Sequence, residues 1–123
     1  MKKFMCILTA IMLCGCDSQE KAIRKEAAYR MYEICLKEMS DTRLCQCIHD
    51  ELINLKSLFT ADVAKSFLLV HDDRWVIAAS VSSVKCHCRL NPHIDSFDGL
   101  SCKEFKKIRT LRQFDNAVKK SVF

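Results

Sequence analysis

A chain of 123 residues and 14.2 kDa allows one small domain. Two glycines and one proline, about 2% of the residues, are too few for a disordered linker or a many-turned β-sandwich. Charged residues at 28% and a formal net charge of +5 are ordinary; nine cysteines are not.

Lys2 and Lys3 open the chain and Phe4 to Leu13 is an unbroken run of ten residues with apolar character. The run is about half of the ~20 residues that span a bilayer as a helix. A basic start, a short apolar stretch and then small residues have the pattern of a secretory signal peptide, which is set aside from fold reasoning. Leu13, Gly15 and Cys16 follow, with Asp17 next. This segment resembles the signal peptide of bacterial lipoproteins, in which a leucine and a small residue precede the cysteine that receives diacylglycerol. Cys14, where alanine or serine is commoner, departs from the pattern.

The resemblance covers residues 1–16 and implies that 1–15 is removed and that Cys16 becomes a lipidated N-terminus. The remainder, 16–123, is then a single helical periplasmic domain held to a membrane. By the same resemblance Asp17 favours the inner membrane over the outer. An ordinary cleaved signal or an uncleaved anchor is the alternative that the same hydropathy allows.

From Ser18 onward, Ile23, Ala27, Met31, Cys35 and Met39 recur four apart, the spacing of one helix face. Ser40-Asp41-Thr42 offers a break and an N-cap. Leu44, Ile48, Leu52, Leu55 and Phe59 then predict a second helix, antiparallel to the first across a turn of about three residues. Thr60 predicts the cap of a short third helix with Val63, Phe67 and Val70 inward, ended by His71-Asp72-Asp73. Arg74 to Leu90 carries Ile77, Val81, Val84 and Cys88 at helical spacing with Asp73 as its cap. Its β-branched content also suits a strand, but no second strand-like run exists to pair with it, so helix is preferred. Asn91 to Leu100 reads as a loop. Ser101 and Glu104 form a capping box for a last helix to about Lys119, with Phe105, Ile108, Leu111 and Val118 on one side and Asp115 interrupting. The fold class is therefore all-α: four to five helices, beginning with an αα-hairpin.

Without Cys6, Cys14 and Cys16, six cysteines remain: Cys35, Cys45, Cys47, Cys86, Cys88 and Cys102. An even number in an oxidising compartment reads as a disulfide framework of three bridges. Residues two apart on a helix point about 200° apart, so the two members of each Cys-x-Cys pair must serve different neighbours. That predicts one bridge across the hairpin through Cys35, one in the second half through Cys102, and a third joining the halves. Cys35 and Cys45, near the turn, suit the first. A zinc site drawn from Cys45, Cys47, His49, Cys86, His87, Cys88 and His93 competes, as does thiol–disulfide exchange at 86–93. Neither has the Cys-x-x-Cys spacing common in such sites.

Residues 101–123 hold seven basic and two acidic side chains, whereas 17–100 hold eleven and thirteen. Lys103, Lys106, Lys107, Arg109 and Arg112 are thus candidate contacts to an acidic partner or to anionic lipid. Ile94 and Phe97, in the loop flanked by Cys88 and Cys102, are candidate apolar contacts. His49, Asp50 and Glu51 are expected on a solvated helix face, and Trp75 as a partly buried anchor. The mature chain has no phosphate loop, nucleophile elbow or His-Glu-x-x-His. No catalytic residue, cofactor, metal, nucleic-acid partner or small-molecule substrate is assigned. The expected role is non-enzymatic: binding another envelope protein in a secretion, conjugation or exclusion (immunity) assembly.

Overall fold

The computed structural model describes residues 17–70 and 72–122, with the side chains of 18–70 and 72–120. Residues 1–16, on which the expected signal peptide and the lipidation of Cys16 fall, lie outside the described residues, as do His71 and Phe123. The described residues are 74% helical, with six helices, three disulfides and one two-stranded sheet among them.

Helix α1 (Asp17–Met39) buries Ala27, Ala28 and Met31. It ends on Ser40, whose φ of 54° is left-handed and whose N–H donates to the Leu36 carbonyl over 3.1 Å. The Asp41 carboxylate then accepts from the Leu44 N–H at 3.1 Å and starts helix α2 (Thr42–Asn54). The two helices form the expected αα-hairpin, with Cys35 bonded to Cys45 beside the turn.

α2 stops at Asn54, short of the Phe59 expected from its stripe. The reason is Arg24. Its guanidinium donates to the carbonyls of Leu52 and Ile53 and, over 2.6 Å, to that of Phe59. Carbonyls that a continued helix would have occupied are satisfied by a side chain instead. Leu55, Leu58 and Phe59 still reach the core, from a turn.

Thr60 caps helix α3 (Ala61–Lys65) as expected, accepting from the Val63 N–H at 3.2 Å. The chain then widens into a π-turn, Ser66–Val70. That extra width rotates the register, so Val70 is 64% exposed instead of facing inward. Helix α4 (Trp75–Leu90) settles the helix-or-strand question for this segment. Asp73 does not cap it by its side chain; its backbone carbonyl accepts from Val76, while the Asp72 carboxylate accepts from the Arg74 N–H.

The expected loop contains a small hairpin, β1 (Ser96–Phe97) and β2 (Leu100–Ser101), paired Phe97 to Leu100. Asp98 (φ 55°) and Gly99 (φ 78°) both take the left-handed conformation that a two-residue hairpin turn needs. The Asp-Gly pair was the signal for it.

The single last helix expected over 101–119 is two helices, α5 (Cys102–Phe105) and α6 (Leu111–Val122). Thr110 and Gln113 separate them. The Thr110 hydroxyl accepts from the Gln113 N–H at 3.2 Å, and the Gln113 amide oxygen accepts from the Thr110 N–H at 3.1 Å. This is a second capping box, and it resets the register. Leu111 is consequently exposed, while Ala117 is buried and Phe114 packs edge-on against Phe105.

One core runs through the domain from Ala27 and Met31 on α1 to Leu52, Phe59, Val81, Phe105, Ile108 and Ala117. Leu44, Cys47 and Cys86 form a smaller cluster, with Leu90 against it. Cys47–Cys86 joins α2 to α4, and Cys88–Cys102 joins α4 to the start of α5. The connectivity is that expected from helix geometry: one bridge in each half and one between them.

Bridges that close longer loops restrict the unfolded chain more. Replacing Cys47 and Cys86 together by alanine, across a separation of 39 residues, should therefore lower stability by about 4 kcal/mol, against about 3 for Cys35 and Cys45, separated by 10. Equilibrium guanidinium unfolding of the two variants checks the order.

Candidate functional site

The residues that form the site come from three segments. α2 and the turn that follows it contribute Glu51, Asn54 and Leu55; α4 contributes Lys85, Cys88 and Arg89; the chain from Pro92 to Arg109 closes the third side. Together they line a cleft of about 690 Å³, a size usual for ligand sites.

Glu51 lies at the heart of the cleft. Expected on a solvated face with His49 and Asp50, it is instead 6% exposed, and Lys85 opposite it is equally buried. The helix period explains the division. Asp50 projects outward, where it meets the His49 ring at 3.0 Å, while Glu51, one residue on, turns toward α4. There Arg89 grips one carboxylate oxygen and the Lys85 ammonium stands 3.9 Å from the other. Arg89 also donates to the Cys47 sulfur over 3.6 Å, so its guanidinium spans the acid and the inter-helix bridge.

One carboxylate faces five cations. Lys85, Arg89, Lys103, Lys106 and Arg109 all line the cleft, and Glu51 is the lone acid among its lining residues. Burial pushes the Lys85 ammonium below its ordinary value of 10.5; the Glu51 charge opposes that shift, and Arg109 and Arg89 add to it. The cleft therefore carries an excess of positive charge, with Lys85 buried at its base and Arg89, Lys103, Lys106 and Arg109 exposed to solvent around it.

Four of the seven candidate contacts, Ile94, Lys103, Lys106 and Arg109, come together on this cleft. Lys107 and Arg112 are exposed but do not line it. Phe97 is half-buried, its ring stacked on His87 with centroids 3.8 Å apart and planes 8° off parallel. Trp75 packs edge-on against Phe67 at 5.1 Å, as a partly buried anchor should. Sequence reasoning missed Glu51, Lys85 and Arg89, though Lys85 and Arg89 share the i, i+4 spacing that places them on one helix face.

Cys45, Cys47, Cys86 and Cys88, the four cysteines that competed as zinc ligands or exchange thiols, are all bonded in disulfides. No thiolate remains among residues 86–93, and His87 is occupied by Phe97. Among the described residues no group of three or more histidine, cysteine or acidic side chains is arranged to hold a metal ion. Two disulfides do frame the cleft. Cys88–Cys102 forms part of its wall, and Cys47–Cys86 lies beneath Arg89. A site so held loses little freedom on binding.

The chain matches no family model, no curated protein and no solved structure.

Removing the Glu51 charge leaves Lys85 buried without its counter-ion. Glu51→Gln should therefore destabilise the domain by about 3 kcal/mol, and Lys85→Met added to it should restore most of that, measured by thermal and guanidinium unfolding. Burial also lowers the His87 pKa from its ordinary 6.5, with the Asp41 charge opposing. Between the lowered folded value and 6.5 the unfolded chain binds more protons, so stability should fall as the pH drops through that window. His87→Phe should flatten this part of the stability–pH curve.

Proposed function

We propose that this chain is a bacterial lipoprotein, held by lipid on Cys16 at the periplasmic face of the inner membrane. Its helical domain binds, without catalysis, an acidic segment of another envelope protein through the cleft. The cleft is the observation that carries the reading: five cations around one buried carboxylate, with Ile94 supplying apolar contact. A carboxylate-rich segment suits this lining better than a neutral one, because each acidic side chain relieves repulsion among cations already held together.

Several features support the envelope setting. Three disulfides suit an oxidising compartment. Asp17, the residue after the proposed lipid site, is already within α1, so the domain sits close to its tether. No helix of the described residues is long and apolar enough to cross a membrane; residues 1–16 lie outside that statement. Two or more acyl chains on one cysteine hold a protein stably to a bilayer. The partner belongs to the class of secretion, conjugation or exclusion assemblies.

Two experiments test the two halves of the proposal. Labelled palmitate should enter the chain expressed in a Gram-negative host and be absent from Cys16→Ser; label retained in that variant removes the anchor. An oligo-glutamate peptide titrated into the mature protein should bind in a salt-dependent manner. Lys103→Glu, Lys106→Glu and Arg109→Glu combined should weaken that binding at least roughly tenfold. Equal binding by the triple variant would remove the cleft as the docking site.

A further inference from the structure

We infer that the end of the helical domain nearest the tether rests on the lipid surface through Leu69, Val70 and Val76, an inference that depends on the lipid anchor at Cys16.

The topology puts these side chains at that end. Arg24, in the second turn of α1, bonds the carbonyls of Leu52, Ile53 and Phe59, so α1 begins where α2 finishes. α4 runs antiparallel to α2: Leu90 packs against the cluster of Leu44, Cys47 and Cys86, Arg89 reaches the Cys47 sulfur, and Lys85 faces Glu51 four residues further along α2. The first residues of α4 are therefore also at the end where α2 finishes. The Phe67–Trp75 contact at 5.1 Å ties the π-turn to the same place.

This end is apolar where solvent would demand polarity. Leu69 is 74% exposed, Val70 64% and Val76 40%. Of the charged residues beside them, Asp72 and Arg74 pair at 3.0 Å, which leaves the exposed Asp73 as one net negative charge at the rim. Exposed apolar side chains gathered at one end of a domain, here by the Phe67–Trp75 contact, mark an interaction surface.

The tether selects the occupant. Adjacent Cα atoms are about 3.8 Å apart, and Cys16 is the residue next to Asp17, which is already helical. No spacer separates the acyl chains from the helix, so this end of the domain is the one that meets the headgroups. Trp75, between the π-turn and Val76, is the residue type favoured at a membrane–water boundary. The lip enters the headgroup region as an amphipathic surface does, and the basic cleft on the flank of α2 and α4 stays open to a partner.

Trp75 is the sole tryptophan and serves as the reporter. The mature chain, purified from membranes, is reconstituted into vesicles of phosphatidylethanolamine and phosphatidylglycerol with or without brominated acyl chains. Trp75 emission should fall roughly twofold in the brominated vesicles, and Leu69→Asp with Val70→Asp should abolish most of that quenching. Leu69→Ser with Val70→Ser, a milder pair at exposed positions, should reduce it in the same direction. Protein that floats with the vesicles but shows no quenching overturns the end-on contact and leaves the anchor standing. Quenching that survives both double variants also overturns it. Protein that fails to float removes the anchor and this inference together. A Trp75 change that appears in detergent without lipid, rises with protein concentration and vanishes in the variants assigns the lip to a second copy of the chain instead.

Discussion

The architecture depends on a single consequence of helix geometry. Side chains two residues apart on an α-helix diverge by about 200°, so a Cys-x-Cys pair reaches two different neighbours. α2 uses this twice over: Cys45 bonds α1 and Cys47 bonds α4. α4 repeats it, with Cys86 bonded back to α2 and Cys88 forward to Cys102. Two helices thereby stitch four segments together. A domain of this size buries too little apolar surface to be strongly stable by its core alone, and the bridges offset that shortfall by limiting the unfolded chain.

The same pairing fixes the cleft. Once Cys47 and Cys86 set α2 against α4, Glu51 is forced toward Lys85 and Arg89. A buried ion pair of this kind contributes little to stability, because desolvation offsets most of the attraction. What it provides is an arrangement: a carboxylate that holds two cations of α4 in place, while Lys103, Lys106 and Arg109 arrive from a chain segment fixed by Cys88–Cys102. The outcome is a positively charged surface of set shape, built from residues far apart in sequence.

Both flanking devices act on the course of the chain. Arg24 ends α2 by bonding carbonyls of its last turn and the turn beyond. Thr110 and Gln113 end one helical stretch and start another. Without the first, Leu55 to Phe59 would continue as helix away from the core. Without the second, Leu111 would face inward and Ala117 outward. The domain is thus shaped as much by where helices are stopped as by where they form.

The helical character, the αα-hairpin, the caps at Asp41, Thr60 and Ser101, and the division of six cysteines among three bridges were all legible in the chain itself. Each rests on spacing within a few residues or on the fixed 3.6-residue period, which a sequence displays directly. The Asp-Gly turn and the Thr110–Gln113 box were equally local and were there to be read. The stop after Asn54 was not, because it needs Arg24 from thirty residues earlier. The burial of Glu51 was not either: three consecutive polar residues look alike along the chain, and only the approach of α4 distinguishes the one that turns inward. Local hydrogen bonds and periodicity are written in the sequence; which charges meet across two helices is decided by packing, and the cleft belongs to the second kind.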